Sequence, residues 1–274
     1  MTTSASVPVV FIHGLWLHAS SWRNWSDLFH SLGYAPIAPG WPGDADTAAE
    51  CRNDPTPLAN HGVGEVTDYF ADIVTKLDSS PVLIGHSVGG LIVERLLGMG
   101  LGRGAVAIAP VQFRGVRRLP LVQVKTALPI LGHPGNRNKA VSQSADDFFR
   151  GFANGVSREE SDALWNEYAI PAPALPLFEA SSANLPLHTG ATVDTDRPRG
   201  PLLLIAGGAD RTVPEATVRS AFKRYRHNQS TTEFKVFPGR SHTQPVDSGW
   251  RDVAEFSLDF LDKNGLGPKA DSAA

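Results

Sequence analysis

Cysteine is nearly absent from this chain of 274 residues. Cys51 is the only one, so no disulfide can form within the chain and the fold does not depend on an oxidising compartment. Cys51 lies in a polar stretch without the surroundings of a catalytic thiol, so we predict no chemical role for it. An excess of charge of one sign is also missing, since 25 basic residues stand against 28 acidic ones. That balance argues against a nucleic acid as partner.

Long hydrophobic runs are missing as well. No stretch approaches the roughly 18 apolar residues of a membrane-spanning helix. The apolar run at residues 7–12 is too short for the hydrophobic part of a signal peptide, and no basic residue precedes it. We therefore expect a cytoplasmic protein. The histidines show no metal-ligand spacing and no phosphate-binding glycine motif occurs, so neither a metal nor a cofactor is expected.

Apolar residues make up 42% of the chain, enough for a sizeable core, and their pattern alternates between two periods. Short buried-strand runs are separated by segments whose apolar residues recur at helical spacing. Such alternation predicts an α/β fold, with a mostly parallel sheet flanked by helices on both faces. The predicted strands are residues 7–12, 35–38, 81–84, 104–109, 201–206 and 233–237.

The alternation stops near Pro110 and resumes near Pro201. The residues between are rich in proline and glycine and contain helical fragments but no clear strand. We predict an α/β core formed by residues 1–110 and 196–274. An inserted, mostly helical lid at residues 111–195 interrupts it.

The candidate nucleophile is Ser87, in the segment GHSVGG at residues 85–90. A predicted strand precedes this segment and an apolar helix follows it, which is the setting of a G-x-S-x-G nucleophile elbow. Gly85 and Gly89 relieve crowding in a turn too tight for side chains. The turn raises the serine hydroxyl above the sheet edge, close to the free N–H groups that begin the next helix.

A serine nucleophile needs a base, and His242 in the segment GRSHTQP is our candidate among nine histidines. It follows the last predicted strand, where a long loop can return over the sheet. His86 adjoins the serine, but on a tight turn its side chain points away, so we predict that it packs beneath the elbow. His13 belongs to the loop after the first strand, and the others are predicted at the surface: His18, His30, His61, His133, His188 and His227. For His133 and His188, in the predicted lid, contact with a substrate is the alternative.

The base needs a carboxylate to orient it, and Asp210 follows a predicted strand in the segment GGADRTVP. Sites of α/β sheets lie at these carboxyl ends. No acidic residue occurs between Arg95 and Ala145, so the preceding strand offers no competitor. Asp247 is close to His242 in sequence, but capping of the last helix explains it. The order Ser87, Asp210, His242 is that of the hydrolase triad.

Acyl transfer also needs donors for a developing oxyanion. The backbone N–H of Val88, directly after the nucleophile, is one predicted donor. The second is the N–H of Leu15, in the segment HGLW that follows the first strand, where Gly14 lets the backbone turn toward the site. Each such donor contributes on the order of 10²–10³ in kcat.

The segments FIHGLW, GHSVGG, GGADRTVP and GRSHTQP together resemble the α/β-hydrolase superfamily. The first, with Trp22 soon after it, is similar to the compact branch of esterases and hydroxynitrile lyases. The resemblance implies a Ser–His–Asp triad and no cofactor. Relatives that cleave epoxides or haloalkanes use an aspartate where Ser87 stands. Plant cyanohydrin lyases have a lysine where Thr243 stands.

We therefore predict a serine hydrolase that cleaves a carboxylic ester of a small to medium, largely apolar molecule through an acyl-enzyme. Lactones, thioesters and C–C bonds beside a ketone remain open, because the same triad serves them all. So do a lyase, a cofactor-free perhydrolase, and a receptor built on a hydrolase fold. The predicted substrate contacts are Trp16, Phe148, Phe152, Trp165 and Phe178.

The predicted lid begins with a basic run that includes Arg114, Arg117 and Arg118, and no acid interrupts it. Such a run is most often a solvated surface. The alternative hypothesis is that these side chains attract an anionic substrate.

Overall fold

The computed structural model describes residues 6–185 and 189–268. Its strands are β1 (Val7–Ile12), β2 (Tyr34–Ile37), β3 (Val82–His86), β4 (Gly104–Ile108), β5 (Ala140–Val141), β6 (Ala172–Pro173), β7 (Leu202–Gly207) and β8 (Thr232–Phe237). Within these residues, six strands form one sheet in the order β2-β1-β3-β4-β7-β8. Every neighbouring pair in it is parallel. The predicted α/β class with a parallel sheet is confirmed.

Helices cover both faces of this sheet. Because successive side chains of a strand point to opposite faces, alternate residues of β1 enter different cores. Val9 and Phe11 pack in a cluster with residues of the first and last helices, whereas Val10 and Ile12 pack on the other face. No described helix is long and apolar enough to cross a membrane. The helices are α1 (Arg23–Ser31), α2 (Ala48–Asn53), α3 (Val63–Thr75), α4 (Val88–Gly98), α5 (Leu121–Leu131), α6 (Ala145–Asp147), α7 (Arg158–Tyr168), α8 (Leu175–Ser182), α9 (Glu215–Phe222) and α10 (Trp250–Lys263).

The predicted strands lie within two residues of the observed ones. The largest difference is at β3, which continues to His86 because Gly85 and His86 still pair with Ala107 and Ile108 of β4. The strand therefore runs directly into Ser87, and α4 begins at the next residue.

The predicted lid falls between β4 and β7. Here the structure differs from the prediction that this segment has no strand, because β5 and β6 form a short antiparallel pair. A single π-helical turn, Phe148–Phe152, follows α6. Pairs this short leave no periodic signal in a sequence. Hydrogen bonds tie the segment to the loop after β1: the His18 N–H donates to the Tyr168 carbonyl at 2.9 Å, and the Ile170 N–H to the Trp16 carbonyl at 3.2 Å.

Candidate active site

Ser87 occupies a strained turn between β3 and α4. Its φ of 57° and ψ of −119° lie in a region that side chains rarely adopt. The backbone holds it there, since the Ser87 N–H donates to the Ile108 carbonyl of β4 at 2.9 Å. The side chain is nearly buried and lies on the wall of a cavity.

Glycines surround this turn because no side chain fits. A Cβ on Gly89 would lie 2.5 Å from the His13 carbonyl oxygen, and one on Gly85 would overlap the carbonyl of Gly89. A Cβ on Gly14 would lie 2.7 Å from the Cβ of Ser87. The loop after β1 therefore approaches the serine closely only because position 14 has no side chain.

His242 and Asp210 form a buried, hydrogen-bonded pair. The distance between His242 Nδ1 and Asp210 Oδ2 is 2.7 Å, and both side chains have no exposed surface. The other carboxylate oxygen of Asp210 accepts the backbone N–H groups of Thr212 at 2.8 Å and Val213 at 2.7 Å. These contacts fix the carboxylate and leave His242 Nδ1 as the donor. His242 Nε2 is buried without a hydrogen-bond partner among the described residues, so it is free to accept a proton.

Two rings pack against the His242 imidazole. The ring centroids of His86 and Phe152 each lie 4.5 Å from that of His242. Burial, reinforced by nearby His242, holds the pKa of His86 well below its usual range. His86 is therefore neutral, and it packs beside the base as an apolar ring.

Asp247 braces the loop that carries His242. One oxygen accepts the Arg240 guanidinium at 2.6 Å and the Gly249 N–H at 3.1 Å, and the other accepts the Thr243 hydroxyl at 3.0 Å. Burial raises the pKa of Asp247. The residue that caps α10 is Gly249, so the capping explanation is incomplete: Asp247 mainly closes the loop 240–249 on itself.

The loop after β1 is fixed by contacts of His13, Trp16 and Trp41. His13 Nε2 lies 3.0 Å from the Asp44 carboxylate, and the Trp41 indole donates to the His13 carbonyl at 3.1 Å. Trp16 adopts a φ of 65°, and its indole N–H donates to the Val141 carbonyl of β5 at 3.0 Å. This loop is thereby held against both the segment after β2 and the predicted lid.

A cavity of about 270 Å³ opens onto the serine, and no charged side chain lines it. The predicted oxyanion donors Leu15 and Val88 belong to its wall, as does Trp16. Helices α5 and α8 supply most of the opposite, apolar wall. The lining comprises Leu15, Trp16, Ser87, Val88, Val111, Gln112, Leu119, Gln123, Val124, Thr126, Ala127, Leu131, Gln143, Leu177, Ala180, Ser181, Thr212 and Val213.

Four predicted substrate contacts lie outside this lining. Phe148 and Phe152 are fully buried and stack on each other, with ring centroids 4.9 Å apart. The Trp165 indole donates to the Gln143 carbonyl at 3.1 Å, and Phe178 packs against the main core. All four belong to the main hydrophobic core or pack against it, so the predicted lid shares that core.

Sequence reasoning missed the polar part of the wall. The Thr217 hydroxyl donates to Gln123 Oε1 at 2.8 Å, and Gln123 Nε2 donates to Gln112 Oε1 at 2.8 Å. Gln143 Oε1 is buried without a partner among the described residues. Isolated glutamines carry no motif, so only the folded arrangement identifies them.

One further residue differs from expectation. His18 is buried rather than solvated, because its ring caps a short helical turn through Ser20 and donates to the Ala45 carbonyl at 3.1 Å. Cys51 is buried in a small cluster with Leu58 and Ile170, which gives it a packing role. His188 lies outside the described residues. No group of potential metal ligands occurs in the described ranges.

Comparisons with known proteins identify the family and the fold of this chain. A family model described as the alpha/beta hydrolase family matches residues 9–256. The chain is 29% identical to the non-heme chloroperoxidase CPO-A1 of Kitasatospora aureofaciens, over 93% of this chain and 91% of that protein. Its fold is similar to that of a monoacylglycerol lipase from Paleococcus ferrophilus (TM-score 0.63, 21% identity, 94% of each chain). A thermophilic esterase from Thermogutta terrifontis is similar in fold too (TM-score 0.64, 15% identity, 95% and 91%).

Proposed function

Because this chain belongs to the alpha/beta hydrolase family, we propose that it cleaves carboxylic esters through an acyl-enzyme on Ser87. The observation that carries the proposal is the buried His242–Asp210 pair, in which His242 Nε2 has no hydrogen-bond partner among the described residues. The strained Ser87 lies on the wall of an apolar cavity. A small to medium, largely apolar ester suits this cavity, since its lining has no charged side chain.

In the acylation step, Ser87 Oγ attacks the ester carbonyl carbon and its proton passes to His242 Nε2. The carbonyl oxygen becomes an oxyanion, which accepts the backbone N–H groups of Leu15 and Val88. His242 then gives the proton to the alcohol oxygen as the C–O bond breaks. Asp210 keeps Nδ1 protonated and stabilises the transient imidazolium.

In the deacylation step, water attacks the acyl carbon while His242 Nε2 takes one of its protons. The bond to Ser87 Oγ breaks, the proton returns to the serine, and the carboxylic acid leaves. The reaction needs no other group, because nucleophile, base and oxyanion donors all come from the chain.

A fluorophosphonate probe and a panel of esters test this proposal. The probe should label Ser87 alone, as peptide mapping by mass spectrometry would show, and Ser87→Ala should lower kcat by on the order of 10⁶. Ser31→Ala, at the exposed end of α1, is the matched control and should retain full activity. Labelling at another residue, or esterase activity that survives in Ser87→Ala, would refute the assignment.

A second candidate function is perhydrolysis, favoured by the similarity to a non-heme chloroperoxidase. Hydrogen peroxide would replace water in deacylation, so that the acyl group leaves as a peroxycarboxylic acid. Measuring peroxyacid and carboxylic acid from one ester at increasing peroxide concentration separates the two functions. Peroxyacid as the main product at millimolar peroxide would support perhydrolysis. If no peroxyacid forms, hydrolysis is the function that the measurement supports.

A further inference from the structure

A second cavity of about 300 Å³ lies beside the one that contains Ser87. Thr126 and Gln143 belong to the linings of both cavities, so the two cavities adjoin at these residues. The second cavity lies between α5, the π-helical turn and the loop after β7. Its lining comprises Val122, Lys125, Thr126, Pro129, Ile130, Ser142, Gln143, Asp147, Arg150, Gly151 and Arg211.

This second cavity is basic, in contrast to the uncharged first one. Three cations line it, Lys125, Arg150 and Arg211, against the single carboxylate of Asp147. Asp147 is engaged by Arg150 at 3.1 Å. Among the described residues, neither Lys125 nor Arg211 forms an ion pair. Two cations without a protein counter-ion thus border one concave space.

Hydrogen bonds fix this basic cavity relative to the candidate triad. Arg211 directly follows Asp210, and its guanidinium donates to the Arg150 carbonyl at 3.2 Å. The Thr212 hydroxyl donates to the Gly151 carbonyl at 2.9 Å, and the Thr126 hydroxyl lies 3.2 Å from the Arg211 carbonyl. The loop that carries the proposed catalytic acid therefore also carries part of the basic cavity.

We propose that the basic cavity binds a negatively charged group, a carboxylate or a phosphate, at the far end of the ester whose carbonyl lies at Ser87. This inference rests on the proposed function and narrows its substrate class. The apolar cavity takes the body of the molecule. Lys125 and Arg211 then bind the anionic end, since ammonium and guanidinium groups form charge-assisted hydrogen bonds with both anions.

This proposal assigns the binding of an anionic substrate to Lys125 and Arg211 instead of to the basic run at the start of the predicted lid. The Arg114 guanidinium donates to the Ala183 and Leu185 carbonyls at 3.0 and 3.3 Å, so it holds α8 in place. Arg117 and Arg118 line neither cavity.

Matched esters test the inference. Their acyl chains are identical except for a terminal methyl, carboxylate or phosphate group. We expect the protein to favour at least one anionic ester over the neutral ester by about tenfold in kcat/KM, with a preference that declines as salt screens the charges. The double variant Lys125→Gln/Arg211→Gln should remove that preference. Asp147→Asn should increase it, because it removes the one negative charge from the cavity.

Arg117→Gln is the control, since it removes a cation from the same segment outside both cavities; it should leave the anionic-to-neutral ratio unchanged. Comparison of the carboxylate and phosphate esters identifies the preferred anion. Equal kcat/KM for neutral and anionic esters would overturn the inference. So would an anionic preference that survives in the double variant.

A binding measurement separates this inference from the proposed function. The non-hydrolysable amide analogues of the same esters are titrated into Ser87→Ala by calorimetry. Tighter binding of the anionic amide, lost in Ser87→Ala/Lys125→Gln/Arg211→Gln, supports the basic cavity even if no ester is cleaved. Equal binding of the neutral and anionic amides overturns it. Absence of ester cleavage together with an unlabelled Ser87 refutes the proposed function instead.

Discussion

Asp210 and Asp247 are both buried, but only Asp210 contacts the His242 imidazole. Asp210 accepts a hydrogen bond from His242 Nδ1, whereas Asp247 accepts hydrogen bonds from the Arg240 guanidinium and the Thr243 hydroxyl. We expect Asp210→Asn to fold and to lose about 10⁴ in kcat, because an amide favours the wrong imidazole tautomer. Steady-state kinetics on the ester that the protein cleaves best measures the loss.

Asp247→Asn is the matched comparison. It leaves the contact between His242 and Asp210 intact but weakens the binding of the Arg240 guanidinium, so the free energy of unfolding should fall. Its kcat should fall by less than about tenfold, since the tautomer of His242 is unchanged. If Asp247→Asn is the more damaging change to kcat, the assignment of the acid is wrong.

Glu94 is a buried carboxyl group on α4 that is not part of the candidate triad. The Tyr225 hydroxyl donates to its Oε1 at 2.8 Å, and Oε2 has no partner among the described residues. Burial raises the pKa of Glu94 to about 8, and the hydrogen bond from Tyr225 only partly opposes this. Glu94 is therefore protonated in the folded protein at neutral pH.

The raised pKa makes stability depend on pH. Above about pH 5 the unfolded chain releases this proton while the folded protein keeps it up to about pH 8. The free energy of unfolding should thus fall by about 1.4 kcal/mol per pH unit over that range from this group alone. Urea unfolding of the wild type and Glu94→Gln at about pH 5.5 and 7.5 tests this, because the variant lacks the contribution. Equal pH slopes for the two proteins would contradict the burial of a protonated Glu94.

The junction of β3 and α4 can form only because Gly89 has no side chain. A Cβ on Gly89 would collide with the backbone of β1 and the loop that follows it. We expect Gly89→Ala to lower the free energy of unfolding by at least ~3 kcal/mol, since rigid backbone atoms cannot move aside. Chemical denaturation, monitored by circular dichroism, measures the change.

Gly64→Ala on α3 is the control for that change. No atom lies within 4 Å of a Cβ at Gly64, and alanine is the better helix former. It should therefore stabilise the protein by about 0.5–1 kcal/mol. A Gly89→Ala protein as stable as the wild type would show that the backbone after β1 and helix α4 do not approach each other closely enough to exclude a Cβ at position 89.

The elements were largely predictable because local patterns determine them. Runs of buried residues marked the sheet strands, and the positions of Asp210 and His242 after two neighbouring strands predicted the contact between them that the structure shows. The fold is confirmed, while the catalytic roles remain predictions. Four of the five predicted substrate-contact aromatics lie outside the cavity lining. The π-helical turn and the two-residue strands β5 and β6 have no periodicity, so nothing in the sequence showed which way Phe152 or Trp165 would face. The glutamines of the cavity wall escaped notice because only tertiary contacts bring them together.

At the scale of the whole molecule, two helices of the predicted lid differ in how firmly they are held to the core. Helix α7 is connected to the core by the His18–Tyr168 hydrogen bond and by Glu160, which accepts the Ser248 N–H at 2.6 Å. Helix α5 leaves Leu121 and Leu128 exposed by 79% and 57%. We expect amides of α5 to exchange with deuterium at least tenfold faster than those of α7, because few buried contacts oppose local opening. Hydrogen exchange followed by mass spectrometry measures this, and equal protection of the two helices would contradict it.

The hydrogen bonds between the loop after β1 and residues 168–170 have a consequence for protein engineering. Trp16 contacts the segment twice, through its carbonyl to Ile170 and through its indole to Val141. A chimera that exchanged all of residues 111–195 for another protein's segment would also replace the partners that hold Trp16, next to Leu15. A graft confined to α5 would keep both anchors. Substrate range in this scaffold is therefore best varied by exchanging that one helix, with the remainder treated as part of the core.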